Sequence, residues 1–263
     1  MTTTIQDVID TILGQIPGGR LAETVDTVKC GDPTQPVSGI VTTFLASSDV
    51  IRQAIKLGAN FIITHEPTFY DHPDDVTKFE GHAVYEAKRR LLDENGIVVW
   101  RFHDHWHRHV PDGIGVGVIR ALGWEVYMGA GDSPVFTIPE TTVGALAVDM
   151  KDKLGIDTVR IVGDLEMPCR NVALLVGAPG GHWQTSILNR DDVEVLLTGE
   201  IHEWETPEYV RDAVSQGRKK ALIVLGHVHS EEPGMAYLVE WLRPLVPDVP
   251  ITHVPVGSAF RYV

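Results

Sequence analysis

The segment VIRQAIKLGANFIITHEPTFY, residues 50–70, contains one complete passage from helix to strand to polar loop. Apolar positions at helical spacing predict a helix over 50–57, with Ser48 or Asp49 as its N-cap and Gly58 as its stop. Residues 61–64, Phe-Ile-Ile-Thr, form a short apolar run of the kind that makes a parallel strand buried on both faces. His65 and Glu66 follow directly, and Pro67 fixes the exit. Open α/β sheets bind ligands just beyond the carboxyl ends of their strands, so an imidazole and a carboxylate there are candidate metal donors.

The same passage recurs. A strand expected over 97–102 runs into His103-Asp104-His105-Trp106-His107-Arg108-His109, which holds four of the chain's 12 histidines. If that segment stays extended, alternation puts His103, His105, His107 and His109 on one side. Leu196-Leu197-Thr198 ends in Gly199-Glu200, and the strand expected over 221–225 ends in Gly226-His227-Val228-His229-Ser230-Glu231. His227 and Glu231 are four apart and meet one ion if the chain turns into a helix there, as Pro233-Gly234 suggests. Each cluster also has a plainer reading: a solvated histidine loop, or a helix-start glutamate favoured by the macrodipole. Four such clusters at strand ends together point to a metal site, and a metal site to hydrolytic chemistry.

Outward from these strands the pattern is regular. Helices are expected over 4–15, 81–95, 114–122, 207–215 and 235–245, and another, capped by Thr141 or Thr142, runs to Leu154. Further strands are expected over 38–46, 158–162, 172–176, 193–198 and 251–256. Gly129-Ala130-Gly131-Asp132-Ser133-Pro134 is the best linker candidate. It divides the chain into 1–128 and 129–263, with the C-terminal segment free to pack on the first half. The two halves repeat one series of strands and helices, which suggests a duplication, although any α/β chain alternates in this way.

With 263 residues, 43% hydrophobic and 22% charged, the chain is long enough and apolar enough for two cores. Its net charge of −14 argues against nonspecific nucleic-acid binding and against anionic membranes. It leaves room for a nucleotide beside a divalent cation. Two distant cysteines, Cys30 and Cys169, imply a reducing compartment. No apolar run approaches the roughly 20 residues of a membrane span and no signal-type segment opens the chain, so a cytoplasmic location is expected. Residues 177–181 are glycine-rich but lack the Lys-Ser/Thr of a phosphate loop, and neither G-x-S-x-G nor G-x-G-x-x-G occurs between strand and helix. His202-Glu203-Trp204-Glu205 reads as a surface turn that could line a pocket.

Residues 50–70 resemble the signature of the Nif-three-like dinuclear-metal proteins, a family that includes homologues named type-2 GTP cyclohydrolase I. GHVHSEEPGMAYLVEWL (226–242) is similar to its C-terminal signature, Gly-His-x-x-Ser/Thr-Glu followed by a helix. FTIPETTVGALAVDMKDKLGIDTVRIVGD (136–164) and LLTGEI (196–201) also fit, so the likeness covers nearly the whole chain. It implies two similar three-layer α/β domains facing a metal cleft, and a ring-shaped homohexamer. Carried over, His65 matches the family's first histidine, and His227 with Glu231 its C-terminal pair. Glu66 stands where the second histidine belongs. A gapless match puts His103 on the family's histidine and His107 where its aspartate belongs, with Asp104 or His105 as substitutes if the loop shifts. The expected metal ligands are therefore His65, Asp104, His107, His227 and Glu231, with Glu66 and His103 left for proton chemistry. One or two divalent ions per chain are implied: zinc, iron, manganese, nickel or cobalt. The expected activity is metal-dependent hydrolysis of a small nucleotide-like or cyclic amide substrate. The competing expectation is a non-catalytic metal-binding scaffold or regulator.

Overall fold

Three tetrapeptides with every residue buried, Ile40–Thr43, Phe61–Thr64 and Val98–Arg101, are the spine of the first half. A strand covered on both faces has no solvent side, which is why these runs lack polar alternation. The computed structural model describes residues 2–128 and 133–263, so most of the expected linker, 129–132, lies outside the described residues. In chain order the helices and strands are α1 (Ile5–Gly14), β1 (Val28–Cys30), β2 (Ile40–Thr43), α2 (Ser48–Lys56), β3 (Phe61–Thr64), α3 (Ala83–Glu94), β4 (Val98–Arg101), α4 (Asp104–Arg108) and α5 (Gly113–Leu122). They continue with β5 (Val135–Thr142), α6 (Val143–Leu154), β6 (Arg160–Val162), β7 (Pro168–Leu175), α7 (Gly181–Leu188) and β8 (Val195–Thr198). The last are α8 (Thr206–Ser215), β9 (Ala221–Val224), α9 (His227–Leu242) and β10 (Ile251–His253).

The chain forms two α/β units. The first comprises Met1–Gly117 and Gly234–Val256, the second Val118–Pro233 and Gly257–Val263. The changes of unit fall within α5, within α9 and after Val256.

In the first unit β2, β3 and β4 pair in parallel register, Ile40 beside Phe61 and Phe61 beside Val98. Helices α2 and α3 make the two crossovers. Ser47, one residue before the expected cap, accepts the Val50 N–H at 3.2 Å and starts α2. β10 adds in parallel beside β2 and β1 antiparallel beside β4, giving the order β1-β4-β3-β2-β10. Val41, Ile62 and Val99 pack with Ile51 and Ala54 of α2 and Leu92 of α3 in one buried core.

The second unit has the same centre. β7, β8 and β9 run parallel in register, Val172 beside Val195 and Val195 beside Ala221, with α7 and α8 as crossovers. Antiparallel β5 and β6 flank them in the order β5-β7-β8-β9-β6. Ala173, Leu196 and Leu222 pack with Leu188 of α7 and Val210 of α8.

Four elements depart from the sequence reading. β1 is only three residues long, and β5 carries Pro139 and a register irregularity at a sheet edge, so neither shows a clean strand pattern. Residues 104–108 are helical rather than extended. α9 begins at His227 and runs through Pro233, where the proline suggested a boundary ahead of a helix from residue 235. Among the described residues no helix is long and apolar enough to cross a membrane.

Candidate metal centre

In the first unit β3 and β4 deliver three imidazoles to one place. His65 follows β3, is fully buried, and donates its backbone N–H to the Phe44 carbonyl at 3.0 Å. His103 stands two residues past β4 as the N-cap of α4, and the His107 N–H bonds to its carbonyl at 3.0 Å. One helical turn therefore puts His103 and His107 on a common face. The ring centroids are 4.5 Å apart for His65 and His103, 4.9 Å for His65 and His107, and 4.9 Å for His103 and His107. One donor atom from each lies within 4.8 Å of the others, close enough for the three to hold a metal ion.

Each ring is oriented through Nδ1. That of His65 faces the Phe102 carbonyl at 3.4 Å, that of His103 the Asp104 carboxylate at 2.9 Å, and that of His107 the Asp112 carboxylate at 2.8 Å. An acceptor at Nδ1 selects the tautomer whose lone pair is on Nε2, as in carboxylate–histidine–metal arrangements. Burial, and then the neighbouring His107 and His103, push the His65 pKa well below its usual value, so this imidazole is neutral at neutral pH.

The acids of this unit have defined partners. Burial works to raise the Asp104 pKa, but hydrogen bonds from His103, the Thr24 hydroxyl at 2.8 Å and the Val25 N–H at 3.1 Å bring it down to about 2. Glu66 pairs at 3.2 Å with Arg101, a fully buried guanidinium that also donates to the His65 carbonyl at 2.9 Å. The other Glu66 oxygen is 3.7 Å from Nε2 of His103. His105 leaves the trio. The helical twist sends it inward, where Nδ1 lies 2.6 Å from the Asp26 carboxylate and Nε2 accepts the Leu21 N–H at 3.2 Å. Asp26 also accepts the backbone N–H groups of His103 (2.8 Å), Asp104 (3.0 Å) and His105 (2.8 Å).

The second unit gathers its own donors. Gly226, at φ 92°, turns the chain from β9 into α9. His227 then lies between two carboxylates, with Nδ1 3.1 Å from Glu200 and Nε2 3.0 Å from Glu231. The four-residue spacing works because α9 is already helical at His227. The loop after β7 is built around Glu231: a Cβ on Gly177 would fall 2.1 Å from its Oε1. Ser230 accepts the Gly177 N–H at 2.9 Å and donates to the His227 carbonyl at 2.8 Å, which holds the cluster together. His202 and Glu205 pair at 3.1 Å in an exposed turn, with Trp204 stacked on His202.

Of the expected residues, His65, Glu66, His103, Asp104 and His107 gather in the first unit, and His227 and Glu231 in the second. Asp26, Asp112 and Glu200 were not in the expected set. Only Glu200 had a signal, its place after the apolar run 196–198. Three imidazoles backed by carboxylates suit a divalent ion of the zinc, iron, nickel or cobalt kind.

The chain resembles the "GTP cyclohydrolase 1 type 2 homolog" of Clostridium perfringens (strain 13 / Type A), 24% identical over 251 residues that cover 91% of each chain. Among solved structures, the hypothetical protein SA1388 of Staphylococcus aureus matches at a TM-score of 0.80 and 19% identity, covering 100% of both chains. A Bacillus cereus protein related to NIF3 matches at 0.76 and 16% identity, covering 100% of this chain and 99% of that one. The family model Duf34/NIF3 (NGG1p interacting factor 3) matches residues 3–256. With its two α/β units, its histidine clusters at strand ends and this match over almost its full length, the chain belongs to the DUF34/NIF3 family.

Proposed function

We propose that this protein is a metal-dependent hydrolase acting on a nucleotide-like or cyclic amide substrate. The observation that carries the reading is the convergence of His65, His103 and His107, with donor atoms within 4.8 Å of one another. The expected ligands are His65 and His107 in the first unit and His227 and Glu231 in the second, for one or two divalent ions per chain. His103 joins them or moves a proton, and Asp104 orients it. A bound divalent ion supplies Lewis acidity and lowers the pKa of water toward neutrality. Glu66, paired with Arg101 and 3.7 Å from His103, is placed to exchange a proton with that ring. The names of the clostridial relatives favour a purine nucleotide, in which hydrolysis would open the ring at the carbon between two nitrogens.

Elemental analysis of untagged protein beside His65→Ala and His227→Ala tests the metal half of this reading. One or two ions per chain, lost in both variants, is the expected result; full metal content in the variants would remove the assignment. A turnover screen with metal restored, across nucleotides, phosphoesters and cyclic amides, tests the hydrolase half. A second reading, a ring-forming metal-binding scaffold, is favoured by Trp183 and Trp204, which are 62% and 74% exposed and offer aromatic area that association would bury. It predicts no turnover in the same screen and a defined oligomer, a hexamer by family likeness, in sedimentation.

A further inference from the structure

We infer that Asp26 is the positioning residue of the three-imidazole cluster. The inference rests on the reading above, that His65, His103 and His107 bind metal, and adds a residue that touches none of their rings. Helix α4 has five residues and cannot set its own direction, because a helix this short leaves most of its backbone donors without intrahelical partners. Asp26 supplies the missing acceptors. One carboxylate oxygen takes the N–H groups of His103 and Asp104, and the other takes the N–H and the ring Nδ1 of His105. Four donors on two oxygens fix both the start of the helix and its rotation about its axis. That rotation decides which way His103 and His107 face, since they sit one turn apart on it.

The anchor is itself held. The Asp26 N–H bonds to Thr24 Oγ1 at 3.0 Å, its carbonyl receives the Trp100 indole N–H at 3.4 Å, and the Thr24 hydroxyl donates to Asp104 at 2.8 Å. Segment 21–26 is thereby stapled to β4 and to α4. Asp26 is 7% exposed and meets only donors, so it is an acceptor for the helix. An asparagine of nearly the same shape replaces one acceptor oxygen by an NH2 group pointing at N–H donors, and α4 would have to turn or shift to relieve that clash.

The test is zinc affinity, measured by competition with a chromophoric chelator well below the unfolding temperature. Asp26→Asn should bind zinc 10- to 100-fold more weakly, the usual size of an outer-shell effect on a metal site. Leu92→Ala, a core truncation in α3 that lowers stability without touching α4, separates positioning from general destabilisation and should keep wild-type zinc affinity. Asp26→Glu keeps the charge but moves the oxygens by one methylene; if Asp26→Asn does not fold, this variant should show the same loss. Zinc affinity within twofold of wild type in a folded Asp26 variant, or an equal loss in Leu92→Ala, would overturn the inference. His65→Ala and His107→Ala run alongside. If they keep zinc, the underlying metal reading fails; if they lose it while Asp26→Asn does not, only the role of Asp26 fails.

Discussion

Lys88 of α3 is 4% exposed, with its ammonium on the Thr68 carbonyl and 5.7 and 5.1 Å from the ring centres of Phe69 and Tyr70. Burial brings its pKa from 10.5 down to about 8, against the opposing pull of Asp74. The unfolded chain therefore holds this proton between about pH 8 and 10.5 while the folded chain has released it. The contribution of Lys88 to stability should rise with pH through that window, by at most about 3 kcal/mol for a shift of this size. Urea unfolding at pH 7.5 and 10.5 measures it, and Lys88→Met should remove the rise; an identical slope in that variant would show that the ammonium is not desolvated. The same lysine ties down the segment after His65 and Glu66, where Tyr70 adopts φ 63° and Phe69 donates its N–H to Asp74 at 2.7 Å. At this scale the sequence told part of the story. His65, His103 and His107 were legible because a buried strand ends at each cluster. Asp26 was not, because a carboxylate that receives backbone N–H groups from 77 to 79 residues away leaves no spacing to read.

Helix α4 shows why an element can be missed although its residues are noticed. Five residues are too few to display helical periodicity, and an alternating His-x-His-x-His series looks extended. Its helicity comes from tertiary partners: the Asp26 carboxylate at its start and the fully buried Trp106 within it, packed against Phe102, Tyr237 and Trp241. Gly113, the first residue of α5, lies against that indole, and a Cβ there would fall 2.2 to 2.4 Å from three of its ring atoms. Gly113→Ala should destabilise the protein by about 1–3 kcal/mol, the usual cost of overpacking. It should also weaken metal binding, because Trp106 shares α4 with His107. Chemical denaturation and a zinc titration check the two parts, and unchanged values in both would mean that the indole yields freely. The central strands β2, β3, β4, β8 and β9 were the most legible elements, since each opens on an apolar run and is buried at all four positions.

At the scale of the whole chain, one plan occurs twice: three parallel strands joined by two helices, with donor residues after the second and third strands. His65-Glu66 and Glu200 follow the second strand of each unit. His103 with His107, and His227 with Glu231, each four apart, follow the third. If these donors bind metal in the folded state alone, zinc at 100 times its dissociation constant should stabilise the protein by about 2.7 kcal/mol, and a chelator should reverse the gain. Calorimetry with and without zinc tests this, and coincident transitions would count against the metal reading. The feature with the longest reach is β10, whose Ile251 lies beside Ile40 of β2. During synthesis the ribosome releases β2 some two hundred residues before its outer neighbour exists. The second unit, nearly contiguous in the chain, is free to fold first, while the first waits with one sheet edge open. Pairing between such distant segments is slow, so the nascent N-terminal half is where chaperones would be needed and where a stalled chain would aggregate.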